Sequence, residues 1–477
     1  MRRVLWIILL LVVVTVGSRV YSVQKSQDCI DAYINRLNTL FGNDIKATLG
    51  KHNFDLSGGK AVIDIALKSN TLRYLFKQDR VLLDVNISYG PVLFTKKGIE
   101  FGCMRLSGSI NLVNYLKADI KNRLSQRLKE PVNIRYTTTI GYKNSIKDRI
   151  KLSSISLEYP KEALKIDTKE IKITSEGLLN GIKNRVDITT DEVTAKSLVE
   201  SKSLQIYQLK IKYKIDEYDK KSELLFGFYR VSANKVCLDI DLKKGLSICG
   251  RGYTNISIDR EKDTKYATIK LDESIQILTP SLQKSLGGIE SIDGSWKLEH
   301  IGISGLAGLI RVQQKQSQIE KELANSVKVG DERGMQRAIL ELQSIESDTL
   351  ISIGKAIIPH KTHLVFKQNI KADRLSSIKF DAYYTGEPIR GDFMTILLRI
   401  ATNPDKLISG KFDINLEADV IKALYPNALF VLESMANKGL AKFSEGLYHL
   451  KGQIEGGKVI INGTKYAPQE LIMMILM

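Results

Sequence analysis

Between Val132 and about Asp272 the chain alternates apolar and polar residues again and again, as in Leu209-Lys-Ile211-Lys-Tyr213-Lys-Ile215. Successive strand side chains point to opposite faces, so such runs bury one face and wet the other. This suits antiparallel sheet. Parallel sheet would read as near-continuous apolar runs joined by helical crossovers, and this stretch lacks such helices. Strands are expected at Arg135 to Tyr142, Arg149 to Tyr159, Ala163 to Thr174, Ser203 to Ile215, Ser222 to Val231 and Tyr266 to Leu271.

Upstream, Ile30, Ile34, Leu37 and Phe41 recur at helical spacing and stop at Gly42-Asn43. Strand patterns follow at Lys46 to Phe54, Lys60 to Leu67 and Val81 to Ser88, with Gly58-Gly59 as the hairpin turn of the first pair. Gly90-Pro91 and a second β pair around Gly98 come next, then a helix from Leu112 to Leu128 with Leu116, Ile120 and Leu124 on one face.

The pattern changes near Gly302. Leu306 to Val327 and Asp331 to Ile358 form two helices broken at Gly330; Met335, Ile339, Leu342 and Ile345 line one side of the second, and Pro359 ends it. Packing of this helical hairpin against sheet is the expected role. Strands return at Thr362 to Ala372, Ser376 to Tyr384 and Lys411 to Ala418, around helices at Phe393 to Ala401 and at Val420 to Ala441, the latter interrupted at Pro426. Leu447 to Glu455, Gly456-Gly457 and Lys458 to Ile461 read as a closing hairpin, and the tail from Leu471 to Met477 is too short to span a bilayer.

The amino end sets the compartment. Arg2 and Arg3 precede an uncharged run from Val4 to Gly17, which reaches Val23 if the Arg19 guanidinium snorkels to the headgroups. The basic flank keeps that end cytoplasmic and sends the rest across the membrane. The same residues also satisfy the pattern of a cleavable signal peptide, with Ser18 or Ser22 near the cut.

The expected fold class is α+β: β-rich, with curved antiparallel sheet, a helical hairpin and flanking helices, preceded by one N-terminal transmembrane helix. The expected division is a membrane anchor over 1–23, a β-rich extracytoplasmic region over 24–300, the helical hairpin over 301–359, and a C-terminal α/β region over 360–477 that completes the sheet.

A net charge of +18 invites a nucleic-acid reading. However, the lysines are spread along alternating strands, there is no nucleic-acid-binding module or aromatic-studded basic segment, and export would remove cytoplasmic DNA as a partner. Cys237 and Cys249 flank the turn signal Lys243-Lys244-Gly245, a hairpin that would bring them opposite each other at disulfide range in an oxidising compartment; two buried unpaired thiols is the other reading.

Motifs that would carry catalysis are absent. His360-Lys-Thr-His363 follows Pro359 and opens a strand, which would put the rings on opposite faces rather than on one metal. Ser304-Gly-Leu-Ala-Gly308 begins a helix and is no nucleophile elbow, and the glycines from Gly302 to Gly308 lack the Gly-Lys-Ser/Thr of a phosphate loop. No cofactor is expected.

Ser88-Tyr-Gly90-Pro91-Val-Leu-Phe, Gly98 and the strand through Leu106 resemble the Gly-Pro motif of the YdgA-like bacterial envelope family, numbered 945 among domains of unknown function. The closing Leu447-Tyr-His-Leu450 with Gly457-Lys-Val-Ile-Ile-Asn462-Gly463 is similar to that family's terminal hairpin. Tyr89 stands where the family's histidine is expected. The resemblance implies a single-pass bacterial inner-membrane protein, amino end cytoplasmic and bulk periplasmic, with no established enzymatic activity. The functional expectation is a non-catalytic protein whose β-rich body binds an envelope lipid, polymer or protein partner. The alternatives are an envelope hydrolase or transferase and a lipid-conducting bridge.

Overall fold

The computed structural model describes residues 28 to 471, apart from 40, 43, 56–57, 90–91, 96–97, 129–130, 142–143, 161, 180–183, 242–245, 389–406 and 468–469. The expected anchor with Arg2 and Arg3, the Gly90-Pro91 pair, the turn at Lys243-Lys244-Gly245, the helix at Phe393 to Ala401 and the tail beyond Leu471 lie outside the described residues. No helix among the described residues is long and apolar enough to cross a membrane. The chain is β-rich with large antiparallel sheet and divides into two units: residues up to Asp216 with Val231–Ser247, and Glu217–Arg230 with Ile248 onward.

In the first unit, β1 (Ile45–Asp55), β2 (Gly58–Leu67), β3 (Arg80–Tyr89), β6 (Met104–Asn111), β7 (Asn133–Ile140) and β8 (Ser145–Leu152) pair in that order, all antiparallel. Between β3 and β6, β4 (Val92–Thr95) and β5 (Gly98–Phe101) form their own two-stranded sheet, the pair expected around Gly98. A helix over 28–39 covers the main sheet, burying Ile30 and Ile34 against Ala47, Ile63, Val85, Met104, Leu106 and Ile140. Phe41, read as part of that face, is itself helical, with the turn at Gly42 following as expected, and is half exposed.

Two expectations change here. Gly58 and Gly59 belong to β2, paired with Asp55 and Phe54, and are not the turn. At φ +151°, Gly58 approaches Ile87 O so closely that a Cβ would sit 2.6 Å from it. The helix read over Leu112 to Leu128 is a 3-10 turn (Leu112–Tyr115) and a separate α-helix (Ala118–Arg127). The break falls at Leu116, which is extended, buried and bridged to Phe76, so a tertiary contact overrides the helical period.

The long strands expected at Arg149 to Tyr159 and Ala163 to Thr174 are each two. The breaks match: β8 and β9 (Ile155–Tyr159) part at Ser153-Ser154, β10 (Leu164–Thr168) and β11 (Ile171–Leu178) at Lys169-Glu170. β8 pairs β11 and β9 pairs β10, while one strand, β12 (Asn184–Ser197), runs past both, pairing β11 along its first half and β10 along its second. β12 also pairs β13 (Ser203–Asp219).

In the second unit β15 (Leu246–Arg260), β16 (Tyr266–Ile277), β17 (Ser291–Gly302), β18 (His363–Lys371), β19 (Leu375–Tyr384), β20 (Ile408–Glu417), β22 (Leu447–Glu455), β23 (Lys458–Ile461) and β24 (Thr464–Tyr466) pair successively and antiparallel. The helical hairpin, Ile303–Val329 and Glu332–Ala356, is inserted between β17 and β18. Its turn has Gly330 at φ +75°, and Asp331 caps the second helix by accepting from Gly334 N. The interruption expected at Pro426 within Val420 to Ala441 is present: the helices are Ala418–Leu424 and Pro426–Asn437, with Pro426 starting the second.

Candidate functional site: an apolar cleft beneath the helical hairpin

The register of the second unit stacks side chains into rows. Leu298, Leu364, Ala382 and Gly410 are consecutive cross-strand partners, and two residues along each strand lie Trp296, Phe366, Phe380, Phe412 and Gly452. The Trp296 and Phe366 rings are 4.2 Å apart, and a Cβ on Gly452 would lie 2.5 Å from Phe412 Cζ, so that ring covers the glycine. Offset aromatic pairs and ring-over-glycine contacts stabilise a sheet beyond the area they bury.

The base of the helical hairpin meets this face, with Leu306, Ala307 and Ala356 packing against Ala267 and Ile301 in a buried core. Three glycines at a spacing of three let the two helices of the hairpin approach each other closely. A Cβ on Gly302 would lie 2.1 Å from Lys355 O, one on Gly305 2.1 Å from Ala356 N, and one on Gly308 2.4 Å from Ser352 Oγ. The glycine run that resembles a phosphate loop only in composition is therefore a helix-crossing surface.

Beside this contact the hairpin and sheet enclose a cleft of about 330 Å³, walled by Ile269, Leu298, Leu364, Leu309, Ile353 and Ile408, among other apolar residues. That volume lies at the small end of ligand sites. Two of its three hydroxyls, those of Thr362 and Tyr384, are committed to the fold, and Tyr383 supplies the third. Thr362 Oγ1 accepts from Ile358 N at 2.7 Å and lies 3.3 Å from His300 O, while the Tyr384 hydroxyl donates to Glu387 O at 2.6 Å. Ile408, 42% exposed, stands at the accessible side.

The opposite face of the same strands carries charge. His363 lies with Nδ1 2.8 Å from Glu299 Oε2 and Nε2 2.7 Å from Asp381 Oδ1, and its ring stacks on Tyr383 at 4.1 Å. Burial would raise the Glu299 carboxyl, but hydrogen bonds and charge from Lys297 and His363 outweigh it and hold Glu299 below its ordinary range. His360 sits in the turn before β18 at φ +57°, so the two histidines are not brought onto one ligand. No group of three or more His, Cys, Asp or Glu side chains is placed to hold a metal among the described residues.

The residues singled out in the closing hairpin are turn formers. Gly456 and Gly457 (φ +55° and +78°) join β22 to β23, and Asn462 and Gly463 (φ +51° and +82°) join β23 to β24, the left-handed pairs that two-residue hairpins require. Asn462 Nδ2 also donates to Gly439 O at 2.9 Å. Cys237 lies on β14 (Leu224–Asp241) and Cys249 on β15, and both are disulfide-bonded.

Sequence reading missed the cleft. Its strands other than β17 were legible, and the Gly302, Gly305, Gly308 spacing was a signal for close helix approach, but which rows align depends on register. The architecture is that of a β-rich protein with a helix pair laid on antiparallel sheet. The profile of a family described as "Bacterial protein of unknown function (DUF945)" matches residues 1–350, and the chain belongs to that family. No curated protein and no solved structure matches it.

Proposed function

We propose that this is a non-catalytic binding protein, held at the bacterial inner membrane by residues 1–23 with its bulk in the periplasm, that takes the acyl portion of an envelope lipid into the cleft beneath the helical hairpin. The observation that carries the reading is the wall chemistry: aliphatic and aromatic side chains surround the space, and the hydroxyls of Thr362 and Tyr384 are already engaged. A site lined mainly by apolar side chains, with two of its three hydroxyls engaged, favours holding an apolar ligand over turning one over. The basic flank and apolar run at the amino end support the location.

The test uses the full-length protein in detergent micelles, titrated with a fluorescent long-chain fatty acid. Saturable binding is expected, and Ile408→Trp, which fills the accessible side of the cleft, should weaken it at least about tenfold, the equivalent of roughly 1.4 kcal/mol, with an unchanged melting curve. Equal binding by both proteins would sink the cleft assignment. A reporter fused after Met477 that is active only in the cytoplasm would sink the location.

A further inference from the structure

Cys29 and Cys103 bring their sulfur atoms to 3.6 Å across 74 positions of sequence. Separate contacts hold the two elements that carry them. Cys29 is half-buried near the start of the helix over 28–39, which is seated by Ile30 and Ile34 and by paired hydrogen bonds from the Asn38 side chain to Ala47. Cys103 is buried immediately before β6, and its amide donates to Ile140 O at 2.7 Å. A disulfide has its sulfurs about 2 Å apart, so a small movement of either side chain closes the gap.

We propose that Cys29 and Cys103 are a redox-active pair that closes to an intramolecular disulfide on reaction with a disulfide oxidant, fastening the helix over 28–39 to the sheet. The more exposed Cys29, as thiolate, attacks one sulfur of the oxidant RSSR, breaking its S–S bond, forming a mixed disulfide and releasing RS⁻. Cys103 then loses its proton and attacks the Cys29 sulfur, forming the Cys29–Cys103 bond and expelling the second RS⁻. The cysteines lose a pair of electrons to RSSR, and their protons are taken up by the released thiolates as RSH. This chemistry needs neither the apolar cleft nor any particular compartment, and it is separate from the bonded Cys237 and Cys249.

The experiment exposes the folded full-length protein in detergent to oxidised glutathione, quenches with acid, alkylates with a maleimide and maps peptides without reduction. A linked Cys29–Cys103 peptide, lighter by a pair of hydrogens than its separate halves, is expected, with alkylation lost at both positions. Closing so long a loop should raise Tm by roughly 5 °C or more, reversed by dithiothreitol. Cys29→Ala and Cys103→Ser should each leave the other thiol open to alkylation and abolish the rise. Alkylation of both cysteines after oxidation, stable glutathione adducts, or disulfide-linked dimers in place of the linked peptide would overturn the proposal; the wild-type result decides even if a variant folds poorly.

Discussion

The side chain of Asn38 pairs with the backbone of Ala47 as a neighbouring strand would: its Nδ2 donates to Ala47 O at 2.9 Å and its Oδ1 accepts from Ala47 N at 2.7 Å. Ala47 is fully buried on β1, so these groups would otherwise lack water. Asn38→Ala should therefore cost about 1–3 kcal/mol, and Asn38→Asp, which keeps only the acceptor, should fall between. Chemical denaturation measures both, and a loss below about 0.5 kcal/mol for the alanine variant would show that the amide does not anchor the helix.

Tyr33, on the same helix, gives the first unit an alkaline limit. Burial, aided by the negative charge of Asp148, pushes its hydroxyl up to about 12, and burial pushes Tyr136 to about 12 as well. A group whose folded pKa is raised contributes stability that is whole below its ordinary pKa and is lost as pH climbs through the folded value. The window here is pH 10 to 12. Tyr33→Phe should flatten that decline with little change at neutral pH, because the Thr138 hydroxyl retains its 2.7 Å bond to Asp148. Melting curves across the window, with tyrosinate absorbance, would expose an unchanged decline.

Asp219 sets an acid limit in the second unit. Hydrogen bonding from Arg260, whose Nη2 lies 2.8 Å away, together with the Lys221 amide, holds its carboxyl at about 2. A depressed pKa contributes stability above the ordinary carboxylate value that disappears as pH falls through the folded one, here between about 4 and 2. After allowance for solvent screening, Asp219→Asn should remove roughly 1–2 kcal/mol at neutral pH and make the acid limb shallower. An acid limb identical in the variant would assign that stability to other groups.

Gly305 inverts an ordinary rule. Glycine to alanine in an exposed helix stabilises by roughly 0.5–1 kcal/mol. At Gly305 the new Cβ would meet Ala356 N at 2.1 Å, a backbone atom that cannot swing aside. Gly305→Ala is expected to cost about 3 kcal/mol through overpacking and to weaken fatty-acid binding as the two helices of the hairpin are forced apart. A gain in Tm would refute the close crossing as a constraint.

Strand existence was readable where clean alternation meets a turn signal: Leu447–Glu455 and Lys458–Ile461 fall where alternation and Gly456-Gly457 put them, whereas β17 was not read as a strand. The matched breaks at Ser153-Ser154 and Lys169-Glu170 were missed although the apolar phase shifts at each, from Ile150 and Leu152 to Ile155 and Leu157 and from Leu164 and Ile166 to Ile171 and Ile173; the pairing with β12 shows what the shift means. Leu116 left its helix for a contact with Phe76, 40 residues earlier, which no local period encodes. The cleft was beyond reach for the same reason: Leu298 and Leu364 become neighbours only after the helical hairpin has looped out between them.

That looping out has a kinetic consequence. Most strands find their partner next in the chain, so a polypeptide emerging from its amino end can zip up its sheet in order. Among the described strands β17 waits longest, because its next partner β18 arrives only after the two helices have been made. Helical contacts are local and form fast, whereas β17 must wait with one edge unsatisfied. The interval between synthesis of Gly302 and of His363 is therefore when a nascent chain is most exposed to mispairing, and a chaperone or translocation pause would have its greatest effect there.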